Sequence, residues 1–385
     1  MKNFDYFAPT EIIFGCGRVK EIGHYAKRYG RRAILVSGAK STTALVERVT
    51  SLLREVDIES VHYNGVTPNP TTEVVTHGAE AAKKFGADLV IGIGGGSSMD
   101  AAKAIAVEAT HTGTSWDYLF YKTAPTECTL PIITVSTTAG TGSQTTQGAV
   151  ITKTENKDKS ALWHKNIFPR VAIVDPETTV SMPPYITAQT GFDAFCHNFE
   201  ALISTGSNPL VETMATEALR IIAKYLPRAV SNGDDIEARS QMAWADTLGG
   251  MSIASGGVTL PHGIGMQISG HCPNVTHGQA LAVLYPEFSR FTYKYAVEKF
   301  AAVGRIFNAD LVNIGDEEAA QQCCDEIDAF LKRIDLWVGF KQLNVTDNEI
   351  RIIADRGQVL GDYKNNPRVA TIDEMFTLLM NSRER

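Results

Sequence analysis

The 385-residue chain has no stretch that approaches about eighteen consecutive apolar residues, so a membrane-spanning helix is not expected. It also has no long run of lysine and arginine, and its formal net charge is −7. Because nucleic-acid affinity depends on clustered basic side chains, we expect no nucleic-acid partner. The N-terminal residues 1–6 lack the apolar segment of a signal peptide. These absences favour a cytoplasmic protein without a membrane or nucleic-acid partner.

Cysteine is scarce, and its spacing matches no disulfide framework. The six cysteines show no CxxC pair, and Cys323 and Cys324 are adjacent, so they could not easily pair with each other. We therefore expect reduced thiols, which fits a cytoplasmic compartment.

The length of the chain exceeds what one ordinary compact core accommodates, which favours two domains. Residues 1–180 alternate short apolar runs with helical patterns. The pattern predicts strands at 32–37, 58–63, 87–93, 131–135 and 170–174, with helices at 43–53, 71–85 and from residue 100. Strands that alternate with helices predict a parallel, doubly wound, Rossmann-like sheet.

Residues 181–385 lack a convincing strand pattern, and helical periodicity dominates them. Candidate helices cover 185–204, 208–231, 234–255, 291–306 and 316–334. We therefore predict an α/β domain at 1–180, followed by an all-helical domain at 181–385.

A glycine-rich turn, residues 94–98, stands between the third predicted strand and a helix. Glycines let the backbone approach a ligand closely, and free N–H groups at a helix start attract an anion such as pyrophosphate. The turn is neither a GxGxxG fingerprint nor a P-loop. The alternative is a tight strand–helix turn that binds nothing.

A second segment of small polar residues, 136–143, follows the next strand. Its hydroxyl groups and glycines could surround a ribose or phosphate. It is equally compatible with an ordinary Ser/Thr/Gly loop.

Asp193 and His197 are four residues apart, which places both side chains on one face of a helix. His262 and His277 could complete the set with two more imidazoles. One carboxylate and three histidines suit Fe²⁺ or Zn²⁺ and can leave a coordination position open. The alternative is a surface hydrogen bond between Asp193 and His197, with no metal.

Three segments together resemble the iron-containing (group III) alcohol dehydrogenases, which are related to glycerol dehydrogenase and dehydroquinate synthase. They are residues 94–100 with Lys103, residues 137–143, and Asp193 and His197 with His262 and His277. The likeness extends from Phe14-Gly15-Cys16-Gly17 to Asn366-Pro367-Arg368. It implies the dehydroquinate-synthase-like fold, a nicotinamide cofactor, a small alcohol or aldehyde substrate, a homodimer, and an active site between the two domains.

The resemblance also implies roles for individual residues. Asp193, His197, His262 and His277 would hold the metal. The nucleotide would be surrounded by Gly95, Gly96, Ser97, Ser98, Asp100, Thr137, Thr138, Thr141 and Lys159.

The chain departs from the family pattern near the substrate. The family often has a histidine four residues after the third ligand, where this chain has Met266, so a proton relay through that position would be missing. His271 is a candidate catalytic substitute, although its spacing differs. Gln144 replaces a more usual glutamate, and Thr259-Leu260-Pro261 is an unusual approach to His262.

The segment after the first predicted strand bears on the choice between NADP(H) and NAD(H). Acidic side chains at the end of an early strand bind the ribose hydroxyls of NAD, and here that position is Gly38. A small residue leaves room for a 2′-phosphate, which Lys40 or Ser41 could contact. We therefore expect NADP(H) to be favoured over NAD(H), unless Gly38 is only a turn.

Other functions stay open at this point. A glycerol or polyol dehydrogenase would use the same site. A dehydroquinate-synthase-like lyase would need several basic side chains for an acidic, phosphorylated substrate, and the segments around His262 and His277 are poor in them. A non-catalytic relative would have lost a ligand, whereas all four candidates are present.

Overall fold

The computed structural model describes residues 3–38, 40–119 and 122–385, and the backbone alone of Ser41. The chain divides into two compact units. One is Phe7–Met182, and the other is Pro183–Arg385 together with residues 3–6.

A parallel six-stranded sheet is the framework of the first unit. Its strand order is β1-β8-β5-β4-β2-β3, and every neighbouring pair is parallel. A separate antiparallel hairpin, β6–β7, was not predicted from the sequence, and neither was β1. The strands are β1 (Glu11–Phe14), β2 (Arg32–Val36), β3 (Glu59–Tyr63), β4 (Leu89–Gly94), β5 (Ile132–Ser136), β6 (Gly148–Lys153), β7 (Asp158–Trp163) and β8 (Val171–Val174).

The four central strands β2, β4, β5 and β8 are buried on both faces, which explains why they read as short apolar runs. Ala33 and Leu35 of β2 pack into a core with the first two helices, whereas Ile34 and Val36 pack on the opposite side. The helices of this unit are α1 (Ile22–Ala26), α2 (Thr43–Arg54), α3 (Thr72–Phe85), α4 (Gly96–Glu108) and α5 (Ser115–Tyr118).

The carboxyl edge of the sheet brings the segments after β4 and β5 together. Gly94 and Ser136, the last residues of these strands, are paired in register. The strand order reverses between β2 and β4, and ligands of open α/β sheets bind at such a switch point. The sheet therefore places three candidate nucleotide segments, those after β2, β4 and β5, at one edge.

The second unit is helical throughout its described residues, as its sequence pattern predicted. Its helices are α6 (Pro184–Ile203), α7 (Pro209–Ser231), α8 (Ile236–Gly256), α9 (Leu260–His271), α10 (His277–Thr292), α11 (Val297–Phe307), α12 (Asp316–Arg333), α13 (Asp347–Asp355) and α14 (Ile372–Asn381). No helix in the described part of the chain combines the length and apolarity needed to cross a membrane.

The predicted helix at 291–306 is wrong in its start. α10 continues to Thr292, and a short 3-10 turn (Tyr293–Tyr295) separates it from α11. Ala296 has the non-helical backbone angles φ −146° and ψ 44°. These angles interrupt the helical geometry between α10 and α11. Helical periodicity on both sides of this turn concealed the break. The helices α9, α10, α13 and α14 were not predicted.

One face of α6 carries an aromatic stripe that packs into the core of the helical unit. Phe192, Phe195 and Phe199 stack along it, with centroids 5.4 Å apart between successive rings. Tyr285 of α10 meets all three rings edge-on or nearly so. The aromatic packing fixes the rotation of α6, and hence the direction in which its polar stripe points.

Candidate metal centre and nucleotide-binding loops

The polar stripe of α6 carries three side chains at helical spacing. Asp193, His197 and Glu200 follow one another at i, i+4 and i+7, so they share one face, as was predicted for the first two. All three are buried. His262 lies in the first turn of α9, and His277 is the first residue of α10.

One oxygen of Asp193 stands at the centre of three imidazoles. Its Oδ1 lies 3.6 Å from Nε2 of His197, 3.5 Å from Nε2 of His262 and 3.6 Å from Nε2 of His277. The ligand atoms of Asp193, His262 and His277 lie within 4.8 Å of one another. The structure thus brings all four predicted ligands to one place.

These separations fit a bound divalent ion better than direct hydrogen bonds. Ligands at about 2.0–2.2 Å from a tetrahedral ion lie about 3.3–3.6 Å apart. Buried Asp193 Oδ1 and His262 Nε2 have no hydrogen-bond partner among the residues that the structure describes. Such orphaned buried groups are costly unless another species satisfies them. The residues present therefore fit a metal.

Glu200, which sequence reasoning missed, holds His262 from behind. Its Oε1 lies 2.8 Å from His262 Nδ1 and accepts a hydrogen bond from the Tyr285 hydroxyl at 3.2 Å. Its Oε2 accepts hydrogen bonds from the Thr259 backbone N–H at 2.8 Å and the Thr259 hydroxyl at 3.2 Å. A proton on Nδ1 of His262 leaves the Nε2 lone pair for a metal, a common carboxylate–histidine arrangement. The i+7 spacing from Asp193 was the available sequence signal.

Charge around the site favours a cation. Burial opposes protonation of His262, but the carboxylates of Glu200 and Asp193 outweigh it and raise the pKa of His262 to about 10. Burial likewise disfavours the Asp193 carboxylate, yet the neighbouring histidines lower its pKa well below the usual range. The carboxylates of this pocket therefore favour a positive charge at its centre, and a bound metal ion would supply that charge.

The structure does not bring His271 to this cluster. It is nine residues after His262 on α9, which is about 13 Å along the helix and half a rotation away. Its Nδ1 lies 3.2 Å from the backbone oxygen of Gln267. Its predicted part in a proton relay therefore has no geometric support. Met266, one turn after His262, is buried and apolar.

Asp362 is a second group that sequence reasoning missed. A Cβ added to Gly263 would lie 3.6 Å from Cβ of Asp362, so this residue lies against the first turn of α9. Burial raises the pKa of Asp362 to about 6, while His262 acts in the opposite direction and Glu200 adds to the rise. A third carboxyl group thus adjoins the histidine cluster.

The two polar loops after β4 and β5 pack directly against each other. A Cβ on Gly95 would lie 3.0 Å from Cγ2 of Thr138, and one on Gly96 would lie 2.7 Å from Cγ2 of Thr141. The glycines thus admit threonine side chains as well as leaving backbone N–H groups open. The Thr137 N–H donates to the Gly94 carbonyl at 3.0 Å.

The two loops, residues 94–98 and 136–143, form a cradle that has the features of an anion site. Gly95 is the N-cap of α4 and has no side chain to cap the first-turn amides of Gly96 and Ser97, whereas the Ser98 N–H donates to the Gly95 carbonyl at 3.0 Å. Thr138 Oγ1 is buried and has no hydrogen-bond partner in the described part of the chain. A phosphate or ribose oxygen could satisfy these groups.

Asp100, predicted to contact the cofactor, makes two hydrogen bonds within the protein. Its Oδ1 accepts a hydrogen bond from the Ser143 hydroxyl at 2.7 Å, and its Oδ2 accepts one from the Val150 N–H at 3.0 Å. Lys159, in β7, donates to Asn69 Oδ1 at 2.9 Å. Lys159 is buried and lies within electrostatic range of Asp100.

The backbone after β2 leaves no room for a side chain at residue 38. A Cβ on Gly38 would overlap the Val66 carbonyl oxygen, so the close backbone approach itself requires glycine here. The expectation that Gly38 simply replaces an acidic side chain is therefore incomplete, because no side chain fits this backbone. Lys40 is exposed in a 3-10 turn, and the side chain of Ser41 lies outside the described residues.

Comparison with known proteins agrees with this geometry. The model of the family "iron-containing alcohol dehydrogenase" matches residues 9–176, and that of "Fe-containing alcohol dehydrogenase family, C-terminal" matches residues 187–382. The NAD-dependent methanol dehydrogenase of Bacillus methanolicus is 33% identical, over 98% of this chain and 99% of its own length. The choline dehydrogenase of Bacillus subtilis is 38% identical, over 83% of this chain and 81% of its own length.

Solved structures support the same assignment. An archaeal halo-thermophilic alcohol dehydrogenase from a Red Sea brine pool superposes with a TM-score of 0.95 at 35% identity, covering 99% of this chain and 100% of that one. The chain belongs to the iron-containing alcohol dehydrogenase family and is an oxidoreductase that acts on alcohols. Membership of this family implies a metal and NAD(H).

Replacing Glu200 by glutamine tests the support of His262. A glutamine has one acceptor oxygen, so it cannot accept hydrogen bonds from both His262 Nδ1 and Thr259 as the two carboxylate oxygens do. We expect affinity for Zn²⁺ or Co²⁺ to fall about 10–100-fold, measured by competition with a chelator. The exposed Glu217→Gln on α7 is the matched control. Equal metal affinity in wild type and Glu200→Gln would contradict this role.

The buried Lys103 predicts a pH dependence of stability. Burial lowers its pKa from 10.5 to about 8, with Asp100 opposing the change. Between these values the unfolded chain binds more protons than the folded one, so this group makes stability rise as pH rises from about 8 to 10.5. We expect the Tm of wild type minus that of Lys103→Met to increase across this window. Parallel Tm curves would contradict the assignment.

Proposed function

We propose that the protein is a metal-dependent, NADP(H)-linked alcohol dehydrogenase and aldehyde reductase for small substrates. The observation that carries the metal assignment is the position of Asp193 Oδ1, at 3.5–3.6 Å from three imidazole nitrogens. The reaction transfers a hydride between the substrate carbon and C4 of the nicotinamide.

Asp193, His197, His262 and His277 are proposed to hold Fe²⁺ or Zn²⁺. One carboxylate and three neutral imidazoles leave a divalent ion with a net charge of +1. A metal with that charge supplies Lewis acidity towards an alcohol or carbonyl oxygen. Donor type alone does not choose between iron and zinc, because both accept imidazole and carboxylate.

The protein's own groups shape access to this centre. His197 and His262 are almost fully buried, whereas the His277 side chain is 27% exposed. A small alcohol would therefore approach on the His277 side. The buried aromatic stripe behind Asp193 and His197 keeps water out of the opposite side.

The cofactor is proposed to bind at the carboxyl edge of the sheet. Gly95, Gly96, Ser97 and Ser98 would surround the pyrophosphate, with the first-turn N–H groups of Gly96 and Ser97 as donors. Thr137, Thr138 and Thr141 would line the nucleotide, and Lys159 would lie near the nicotinamide half. Preference for NADP(H) is supported by the absence of an acidic side chain at Gly38 and by the exposed Lys40 nearby.

The substrate is proposed to be a small primary alcohol or the corresponding aldehyde. The named relatives act on alcohols as different as methanol and choline, so the family site accepts varied substituents. Glycerol or another polyol is the alternative within the same chemistry. We further propose a homodimer in the cytoplasm, where the six free cysteines stay reduced.

Metal-dependent turnover tests the proposed function. Chelated protein should oxidise NADPH slowly with a panel of short aldehydes, and anaerobic Fe²⁺ or Zn²⁺ should restore the rate, followed at 340 nm. His262→Ala should stay inactive after metal addition yet bind NADPH normally, since its change lies outside the nucleotide loops. Nucleotide binding without turnover under any condition would favour a lyase or a non-catalytic protein.

Lys40→Glu tests the cofactor preference. A carboxylate in place of the ammonium would repel a 2′-phosphate and could accept ribose hydroxyls, so the ratio of kcat/KM for NADPH to that for NADH should fall about tenfold or more. Lys27→Glu, an exposed charge reversal elsewhere in the same unit, is the control. An unchanged ratio would contradict NADP(H) recognition by Lys40.

A further inference from the structure

Helix α4 joins the glycine-rich turn to a buried lysine. Its first residue, Gly96, belongs to the glycine-rich turn, and Lys103 follows about two turns later. Lys103 is fully buried. A lysine in that position is rare, because an ammonium group loses its hydration there unless other groups replace it.

Three backbone carbonyls replace that hydration. Nζ of Lys103 donates to the oxygens of Ser143 at 2.6 Å, Thr146 at 2.9 Å and Gly148 at 2.7 Å. An ammonium has three protons, so these short contacts use all of them. The hydroxyls of Ser143 and Thr146 lie further away, at 3.0 and 3.3 Å. Residues 143–148 therefore wrap around Lys103 as carbonyls wrap around a bound cation.

The wrapped segment continues directly into the nucleotide cradle. The Ser143 N–H donates to Thr141 Oγ1 at 3.3 Å, and Thr141 packs against Gly96. Asp100, between Gly96 and Lys103 on α4, accepts hydrogen bonds from Ser143 and Val150. One helix therefore holds the first loop by its N-terminus and the second loop by the side chains of Asp100 and Lys103.

We propose that Lys103, assisted by Asp100, is a positioning residue that sets the spacing between the two nucleotide-binding loops. This inference rests on the proposed function, because it assumes that the loops bind a nicotinamide nucleotide. At neutral pH Lys103 acts as an internal cation that gathers three convergent carbonyls, which would otherwise repel one another. All three protons of Lys103 are engaged by backbone carbonyls, and each oxygen of Asp100 accepts a hydrogen bond from Ser143 or Val150.

Lys103→Ala with chemical rescue tests the internal cation. Losing the ammonium should raise the Kd for NADPH about tenfold or more while metal content stays at the wild-type value. Propylammonium, which restores the missing carbons and nitrogen, should recover the affinity. Tetramethylammonium, which cannot donate hydrogen bonds, should not. The exposed Lys84→Met on α3 is the control and should bind as wild type does.

The outcomes separate this inference from the proposed function. Wild-type Kd in folded Lys103→Ala would overturn the positioning role and leave the proposed enzyme intact. Loss of affinity that no amine recovers would also overturn the internal-cation account. Wild-type protein that binds neither NADPH nor NADH would instead overturn the proposed function.

Asp100→Asn provides a second variant that decides the question if Lys103→Ala does not fold. Positioning predicts that affinity for ADP, which lacks the nicotinamide ribose, falls by the same factor as affinity for NADPH. Direct contact of Asp100 with that ribose predicts that the affinity for ADP stays unchanged. Unchanged ADP affinity with weakened NADPH binding would therefore overturn the positioning role.

Discussion

The helical unit depends on one constraint, which is the burial of an Asp193 carboxylate oxygen among three imidazole nitrogens. This oxygen has no hydrogen-bond partner within the described ranges of the chain. Asp193 lies on α6, the helix whose rotation the aromatic stripe fixes. Glu200, Thr259 and Tyr285 then fix His262 from behind. Aromatic packing thus orients the Asp193 and Glu200 carboxylates. Their negative charge, together with the imidazole nitrogens, favours a bound cation.

The α/β unit follows a different logic, in which backbone approach replaces side-chain chemistry. Gly95 and Gly96 admit Thr138 and Thr141 from the neighbouring loop, and α4 supports both loops. A buried ammonium is tolerable there only because three carbonyls replace its water. The carbonyls that offset the desolvation of Lys103 belong to residues 143–148, which continue from the second loop. The buried charge therefore acts on the shape of the loops and not on a ligand directly.

Sequence reasoning predicted the parallel sheet, the helical second half and the convergence of four metal ligands, because apolar periodicity and the i, i+4 spacing are local signals. It did not predict Glu200, although its i+7 position was visible, or Asp362, which lies far from the ligands in the chain. It also did not predict the hydrogen bonds of Asp100 to Ser143 and Val150, because these depend on tertiary structure. His271 was considered near the substrate, and only the uninterrupted helix α9 shows it on the opposite face. Gly38 illustrates the same limit, since its steric contact with Val66 leaves no trace in local sequence.

The most direct test of the metal centre is anomalous diffraction from crystals soaked with Fe²⁺ or Zn²⁺, recorded on both sides of the metal absorption edge. We predict one strong anomalous peak at about 2.0–2.2 Å from the Asp193 oxygen and from Nε2 of His197, His262 and His277. A fully occupied metal elsewhere in the protein, or a soaked crystal in which these four side chains surround no anomalous peak, would contradict the account.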